Sequence, residues 1–286
     1  MGKIIACIDG SGYADSVSHL SAWIYRRTGL AVSLLHVVAP HSEMEAKTDM
    51  TGHIGIGVKS SLLEELTKLD EEHGKLELKK GQLMLEHAKE VLDAKGVNTQ
   101  PEILHRRGSL VETIQEFESQ AEFIVMGKRG EHYHTASGHL GSNLERVARA
   151  IHKPLLVATQ EINPIKKFLI AYDGSPSANK AVEYVSSNTL LKGLECHVLK
   201  VADATPEAQE ILKQAEEKLK MSGFKVHIHF KQGISVEDAV AEYIIAHGID
   251  LLAIGAYGHS KIRSLILGST TTSLIRKSEI PVMLFR

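Results

Sequence analysis

The chain has 286 residues, 43% of them hydrophobic, with 33 Lys and Arg against 35 Asp and Glu. That length suits two domains of roughly 100–200 residues each, and an apolar content this high with only 7 prolines excludes a disordered or fibrous chain. A formal net charge of −2 gives no electrostatic drive for wholesale binding to nucleic acid or an anionic membrane, so an anionic ligand has to be held locally.

The first apolar run, residues 3–8, is too short for the core of a signal peptide and leads straight into Asp9-Gly10-Ser11. No stretch of about 20 apolar residues follows anywhere. These features predict a cytoplasmic protein without membrane insertion. Cys7 and Cys196 lie inside strand-like runs and read as small buried hydrophobes rather than as a disulfide or metal pair. After a second strand at 34–38, residues 40–57 form a loop, either a lid over a ligand or a surface extension. Residues 58–95 read as one long charged helix with Leu62, Leu63, Leu66 and Leu69 on one stripe. Ser109 and Glu112 form a capping box, the run 122–127 is the next strand, and the segment after Pro154 is the last strand of this half. Residues 160–164, polar and ending in Pro164, read as a hinge. Beyond it, strands are predicted near 167–172, 195–202, 224–230, 250–255 and 281–285. Helices are predicted near 176–189, 205–221, 235–247 and 268–278, the first of them opened by the cap Ser175 and by Pro176.

The two halves are one module written twice. Lys3 to Ser11 pairs with Lys167 to Ser175, and the interval from Asp9 to His36 equals that from Asp173 to Lys200, 27 residues in each case. Ser142 to Pro154 and Ser269 to Pro281 are both 12 residues apart. Strand-like runs alternating with helical ones predict an α/β fold with parallel sheets flanked by helices. The domains expected are 1–160, with an insertion at about 40–80 and a degenerate glycine loop, and 165–286, with an intact one.

In an open parallel sheet, ligands bind at the carboxyl ends of the strands where the chain order reverses. Asp9 and Asp173 end the first strand of each half there. After the fourth strand of the second half, Gly255, Gly258 and Gly268 form G-x2-G-x9-G, followed by Ser269 and Thr270 at a helix start. Glycines let backbone N–H groups approach an anion, and hydroxyls at a helix N-terminus add donors where the dipole favours phosphate. No G-x4-G-K-[ST] occurs, and Gly10-Ser11-Gly12-Tyr13-Ala14-Asp15 misses the dinucleotide pattern at its last position.

The strand-ending Asp, the G-x2-G-x9-G-[ST] loop and the last strand after Pro together resemble a universal stress protein domain, here in tandem. The resemblance implies two five-stranded sheets of order 3-2-1-4-5 that pair through their fifth strands within the chain, with a homodimer of chains left open. It also implies an adenine nucleotide, ATP with Mg2+. Asp173 would meet the ribose or adenine, Val201 the base, Gly255 and Gly258 the ribose and phosphates, and Gly268, Ser269 and Thr270 the β- and γ-phosphates.

The first half departs from this pattern. Gly127, Gly130 and Gly141 leave ten residues in the second interval, and Asn143 stands where the second half has Thr270. Asp9, Val37, Gly127, Gly130, Gly141 and Ser142 are the candidates for a second site, with Lys128 and Arg129 as charged phosphate donors. His132, His134 and His139 in the same loop are weak zinc candidates. His227 and His229 share one strand face and read as a surface pair or a helix-packing contact rather than as ligands. Gly127 to Gly130 mimics a KH-type GXXG but follows a strand rather than joining helices, which argues against RNA. The leading function is an ATP-binding stress-response module. One alternative is a weak ATP hydrolase or transferase, with Asp173 or His259 as the base. Another is a scaffold whose first half binds a different molecule or partner.

Overall fold

The computed structural model of the chain describes residues 2–39, 59–131, 140–256 and 267–286, apart from the side chains of 59–67, 69 and 70. The first half runs β1 (Lys3–Cys7), α1 (Ala14–Thr28), β2 (Val32–Val38), α2 (Lys59–Ala94), β3 (Glu102–Arg107), α3 (Leu110–Phe117), β4 (Ala121–Gly127), α4 (Ser142–Ala150) and β5 (Leu155–Ala158). The second runs β6 (Lys167–Ala171), α5 (Pro176–Ser187), β7 (Glu195–Val201), α6 (Pro206–Met221), β8 (Val226–Lys231), α7 (Val236–His247), β9 (Leu251–Gly255), α8 (Ser269–Lys277) and β10 (Val282–Phe285).

The central strands are apolar runs because helices cover both faces of the sheet. β5 and β10, LLVA and VMLF, are buried at every position. Helix starts follow local chemistry: Ser175 Oγ accepts from the Ala178 N–H with Pro176 at the first helical position, and Thr205 Oγ1 does the same for Ala208 before Pro206. Ser109 accepts from Glu112 N at the start of α3, as its capping-box spacing predicts.

The ten strands of the described residues form one sheet of order β3-β2-β1-β4-β5-β10-β9-β6-β7-β8. Each half is parallel throughout and has the order 3-2-1-4-5. The halves meet where β5 and β10 pair antiparallel, Val157 opposite Val282 and Leu155 opposite Leu284. One buried apolar cluster continues from Ile4, Phe123 and Leu156 through Met283 to Phe168 and Val198. Polar links cross the same boundary: the Arg27 guanidinium donates to the Leu190 and Lys192 carbonyls, and the Tyr184 hydroxyl to Glu122 Oε1 at 2.9 Å. The 160–164 connection, read from sequence as a hinge, is docked, with Ile162 against the core and Ile165 buried.

The inserted helix α2 keeps close to its predicted bounds, but Leu62, Leu63, Leu66 and Leu69 fall among the side chains outside the described set, as the 40–57 loop does. The described apolar stripe lies further along, at Leu85, Ala88 and Leu92, all buried. At Gly81 the helix passes so near the sheet that a Cβ would lie 2.4 Å from His36 Cδ2 and 2.7 Å from His105 Nε2.

At the β8 edge, His229 makes a helix-packing contact, its ring 4.8 Å from that of Tyr243 and 5.1 Å from that of His247, both on α7; His227 instead stacks on His197 of the neighbouring strand, with ring centres 4.9 Å apart. Burial, followed by its histidine neighbours, lowers the pKa of His229 below 6.5. Burial likewise outweighs the raising effect of Glu195 at His197. The unfolded chain therefore takes up these protons first, and stability is lost as pH falls through 6.5 towards the folded-state values. The urea midpoint is expected to drop between pH 7.5 and 5.5, and His229→Gln should remove part of that drop. Equal pH dependence in the variant would assign the effect to other groups.

Candidate functional site

Reversal of strand order around β6 opens a crevice at the carboxyl ends of β6, β7 and β9. Ala171 at the end of β6 is paired with Leu199 on one side and Ile254 on the other. Asp173 therefore projects beyond a floor whose flanks end at Val201 and Gly255. Asp173 Oδ1 accepts from the Ser175 N–H at 2.8 Å, and Gly174 turns the chain at φ 85°, a left-handed conformation that a glycine takes without strain.

Gly255 is dictated by a close approach. A Cβ there would lie 2.4 Å from Ser177 Oγ and 2.8 Å from the backbone nitrogen of Ala178, in the first turn of α5. On the other wall, Gly268 precedes α8 and supplies no side-chain cap; its N–H reaches the Ala256 carbonyl at 3.4 Å. Buried Thr271 ties the helix to the strand end by donating to the Gly255 carbonyl at 3.1 Å. Ser269 and Thr270 are exposed, and the first turn of α8 carries no acidic residue. The helix end thus offers amides and hydroxyls to an anion with no carboxylate of its own to repel it. Asp173, Val201, Gly255, Gly268, Ser269 and Thr270 all lie at this carboxyl end of the sheet, while Gly258 and His259 lie outside the described residues.

Lys200 is a crevice residue whose role the sequence does not reveal, although its register with His36 is visible there. Its ammonium is buried, donates to the Asp173 carbonyl at 2.8 Å and sits 5.9 Å from the centre of the Tyr172 ring. Burial lowers its pKa and Asp173 partly opposes this. At the matching place in the first half, His36 Nδ1 meets the Ile8 carbonyl at 2.7 Å.

The first-half crevice is built of the same parts but is filled differently. Asp9 Oδ1 accepts from the Ser11 N–H at 3.0 Å and from its hydroxyl at 2.5 Å. Val37 lies near the end of β2 and Gly127 ends β4, and a Cβ on Gly127 would stand 2.6 Å from Tyr13 Cβ. Gly130 faces the Asp9 carboxylate, at 3.3 Å from the place of its own missing Cβ. Gly141 is buried against the backbone of Lys128 and Arg129, and Ser142 is exposed at the start of α4. Above Gly10 lies the Glu131 carboxyl group, its carbon 2.6 Å from where a Cβ would be, paired with Lys80 of the inserted helix. This crevice mouth therefore carries a carboxylate at the position where the sequence of the second half has His259. His132, His134 and His139 lie outside the described residues.

Lys128 departs from its expected role as a phosphate donor. Its ammonium reaches across to the Ser278 carbonyl of the second half at 2.8 Å. Burial, aided by Arg129, pushes its pKa down to about 8. The boundary between the halves needs a donor for the carbonyl left free at the end of α8, and Lys128 supplies it. Both cysteines are free; Cys196 is buried as expected, whereas Cys7 is half-buried, and burial raises both thiol pKa values. No helix among the described residues is long and apolar enough to cross a membrane.

Comparison with known proteins matches this architecture. The Universal stress protein family matches residues 1–159 and again 164–286. Universal stress protein Slr1230 of Synechocystis is 36% identical over 289 residues, covering 100% of both chains. Universal stress protein MJ0577 of Methanocaldococcus jannaschii is 30% identical over 82 residues, 29% of this chain and 50% of that protein. The crystal structure of a universal stress protein from Archaeoglobus fulgidus has the same fold, with a TM-score of 0.70 at 22% identity over 99% of this chain and 98% of that one. With both halves matched and a relative similar from end to end, the chain belongs to the universal stress protein family and carries that domain in tandem.

Proposed function

We propose that this chain is a cytoplasmic stress-response module that binds an adenine nucleotide, ATP with Mg2+, chiefly in the crevice of its second half. The observation that carries the reading is the start of α8: Gly268 followed by the exposed hydroxyls of Ser269 and Thr270, with no acidic residue in the turn, at the same end of the sheet as Asp173 and Val201. Asp173 would hold the ribose and Val201 the base. Gly255 and Gly258 would give the ribose and phosphates room, and the α8 terminus would take the β- and γ-phosphates. The narrow gap at Gly255 and the absence of a carboxylate at the helix start suit a polyphosphate.

In the first half, the Glu131 carboxylate over Gly10 opposes a polyphosphate. Asp9, Val37, Gly127, Gly130, Gly141 and Ser142 are therefore assigned to a weaker site, or to a different small molecule or partner.

The test is to denature the purified chain and identify what it releases. About one ATP per chain is expected, with little turnover over hours in Mg2+. Gly268→Val combined with Ser269→Ala should abolish retention. A stoichiometric yield from that double variant would move the site to the first half, and a wild type without nucleotide would end the proposal.

A further inference from the structure

At the amino ends of β7 and β8, on the opposite end of the sheet from the crevice, three ligand-bearing side chains converge. Register places His197 of β7 beside His227 of β8, and Glu195 opens β7 two residues earlier, on the same face. Glu195 Oε1 lies 3.2 Å from His197 Nε2 and 3.3 Å from His227 Nε2. One nitrogen or oxygen from each of the three falls within 4.8 Å of the others. The two imidazoles stack with ring centres 4.9 Å apart. His227 Nε2 is shielded from solvent and makes no hydrogen bond, although the carboxylate is so near.

We propose that Glu195, His197 and His227 form a binding site for a zinc-class divalent metal ion, distinct from the nucleotide crevice. A tetrahedral ion with bonds of about 2.0–2.1 Å holds its ligands about 3.3 Å apart, the spacing found here on both edges that meet at Glu195 Oε1. Two imidazoles and one carboxylate leave the fourth position to water or a small donor. The set is too nitrogen-rich for Mg2+ or Ca2+, which take oxygen ligands.

The surroundings orient the ligands. His197 Nδ1 meets the Tyr243 hydroxyl at 2.8 Å, which fixes the ring with Nε2 towards Glu195; an ion that takes Nε2 displaces its proton and leaves Nδ1–H to donate to the phenol oxygen. Lys225 and Lys167 lend positive charge to the Glu195 carboxylate. Lys225 faces the other oxygen, Oε2, at 3.9 Å, which leaves Oε1 for the ion. His229 and His247 stand on the far side, against Tyr243. The seven residues of β7 put this site about 20 Å from Val201, so its occupancy is independent of the nucleotide.

The experiment is Zn2+ titration of the nucleotide-free full chain against a chromophoric chelator at pH 7.5, with excess Mg2+ present. Wild type is expected to take up one more tight equivalent than His227→Ala or Glu195→Gln, each weakened at least tenfold. Tyr243→Phe should lose about tenfold by loosening the His197 ring. His229→Ala should bind as wild type does. Circular dichroism checks that each variant is folded, and His227, half exposed, is the substitution least able to disturb the core. Equal uptake by wild type and His227→Ala, or a loss in His229→Ala as large as that in His227→Ala, would overturn the assignment.

Discussion

Gly255→Ala is expected to destabilise the chain by about 1–3 kcal/mol, the ordinary cost of forcing one carbon into a filled space, and to abolish nucleotide retention. The added methyl would sit 2.4 Å from Ser177 Oγ and 2.8 Å from Ala178 N. A side chain can rotate away from the first contact. The second is with backbone at the start of α5, and relieving it means moving that helix off the strand end. Ser177→Ala should therefore fail to rescue the variant. Gly12→Ala is the matched control: nothing lies within 4 Å of its Cβ position and its φ is not in the left-handed region, so a change within about 0.5 kcal/mol is expected. Urea unfolding followed by circular dichroism measures both. Equal stability of Gly255→Ala and wild type would mean that α5 does not rest on β9 as described.

Leu92→Ala is expected to cost about 2–5 kcal/mol, far more than its place in an insertion suggests. Leu92 is fully buried with Leu85 and Ala88, while Leu83 on the same helix is 58% exposed. Helix α2 is clamped to the body by its apolar stripe and by polar ties to α1: His87 Nε2 meets Asp15 Oδ1 at 2.9 Å, and Arg26 donates to the Lys95 carbonyl at 2.6 Å. Leu83→Ala should change stability by no more than about 0.5 kcal/mol. The only tryptophan, Trp23 on α1, packs against this core and reports the loss by fluorescence during urea unfolding. Equal effects at positions 83 and 92 would show that the helix lies on the surface rather than in it.

Much of the fold is legible because each element carries its own chemistry. The apolar runs that become β6, β7 and β9, the proline caps before α5 and α6 and the doubled Asp-Gly-Ser are local signals, and the strand and helix ends of the second half fall within two residues of them. Gly255 is legible for the same reason, since a glycine that must admit another backbone leaves a mark in the sequence. The tertiary partners are not. Lys80 and Glu131 are far apart in the chain and meet only because α2 packs across β2 and against α1, a packing that no periodicity encodes. His227 and His229 advertise a shared face, but nothing local says that β7 brings His197 and Glu195 beside them. Lys128, beside a glycine loop, looks like a phosphate ligand until the neighbouring half supplies a carbonyl for it.

The antiparallel seam between β5 and β10 has a further consequence. Two separate chains with such crevices could assemble in three ways, two like pairs and one mixed, in proportions that shift with expression and dilution. Covalent linkage allows only the mixed pair and makes its formation independent of protein concentration. The two crevices are thus locked at one to one, and each half is free to diverge without a like-paired species competing for assembly.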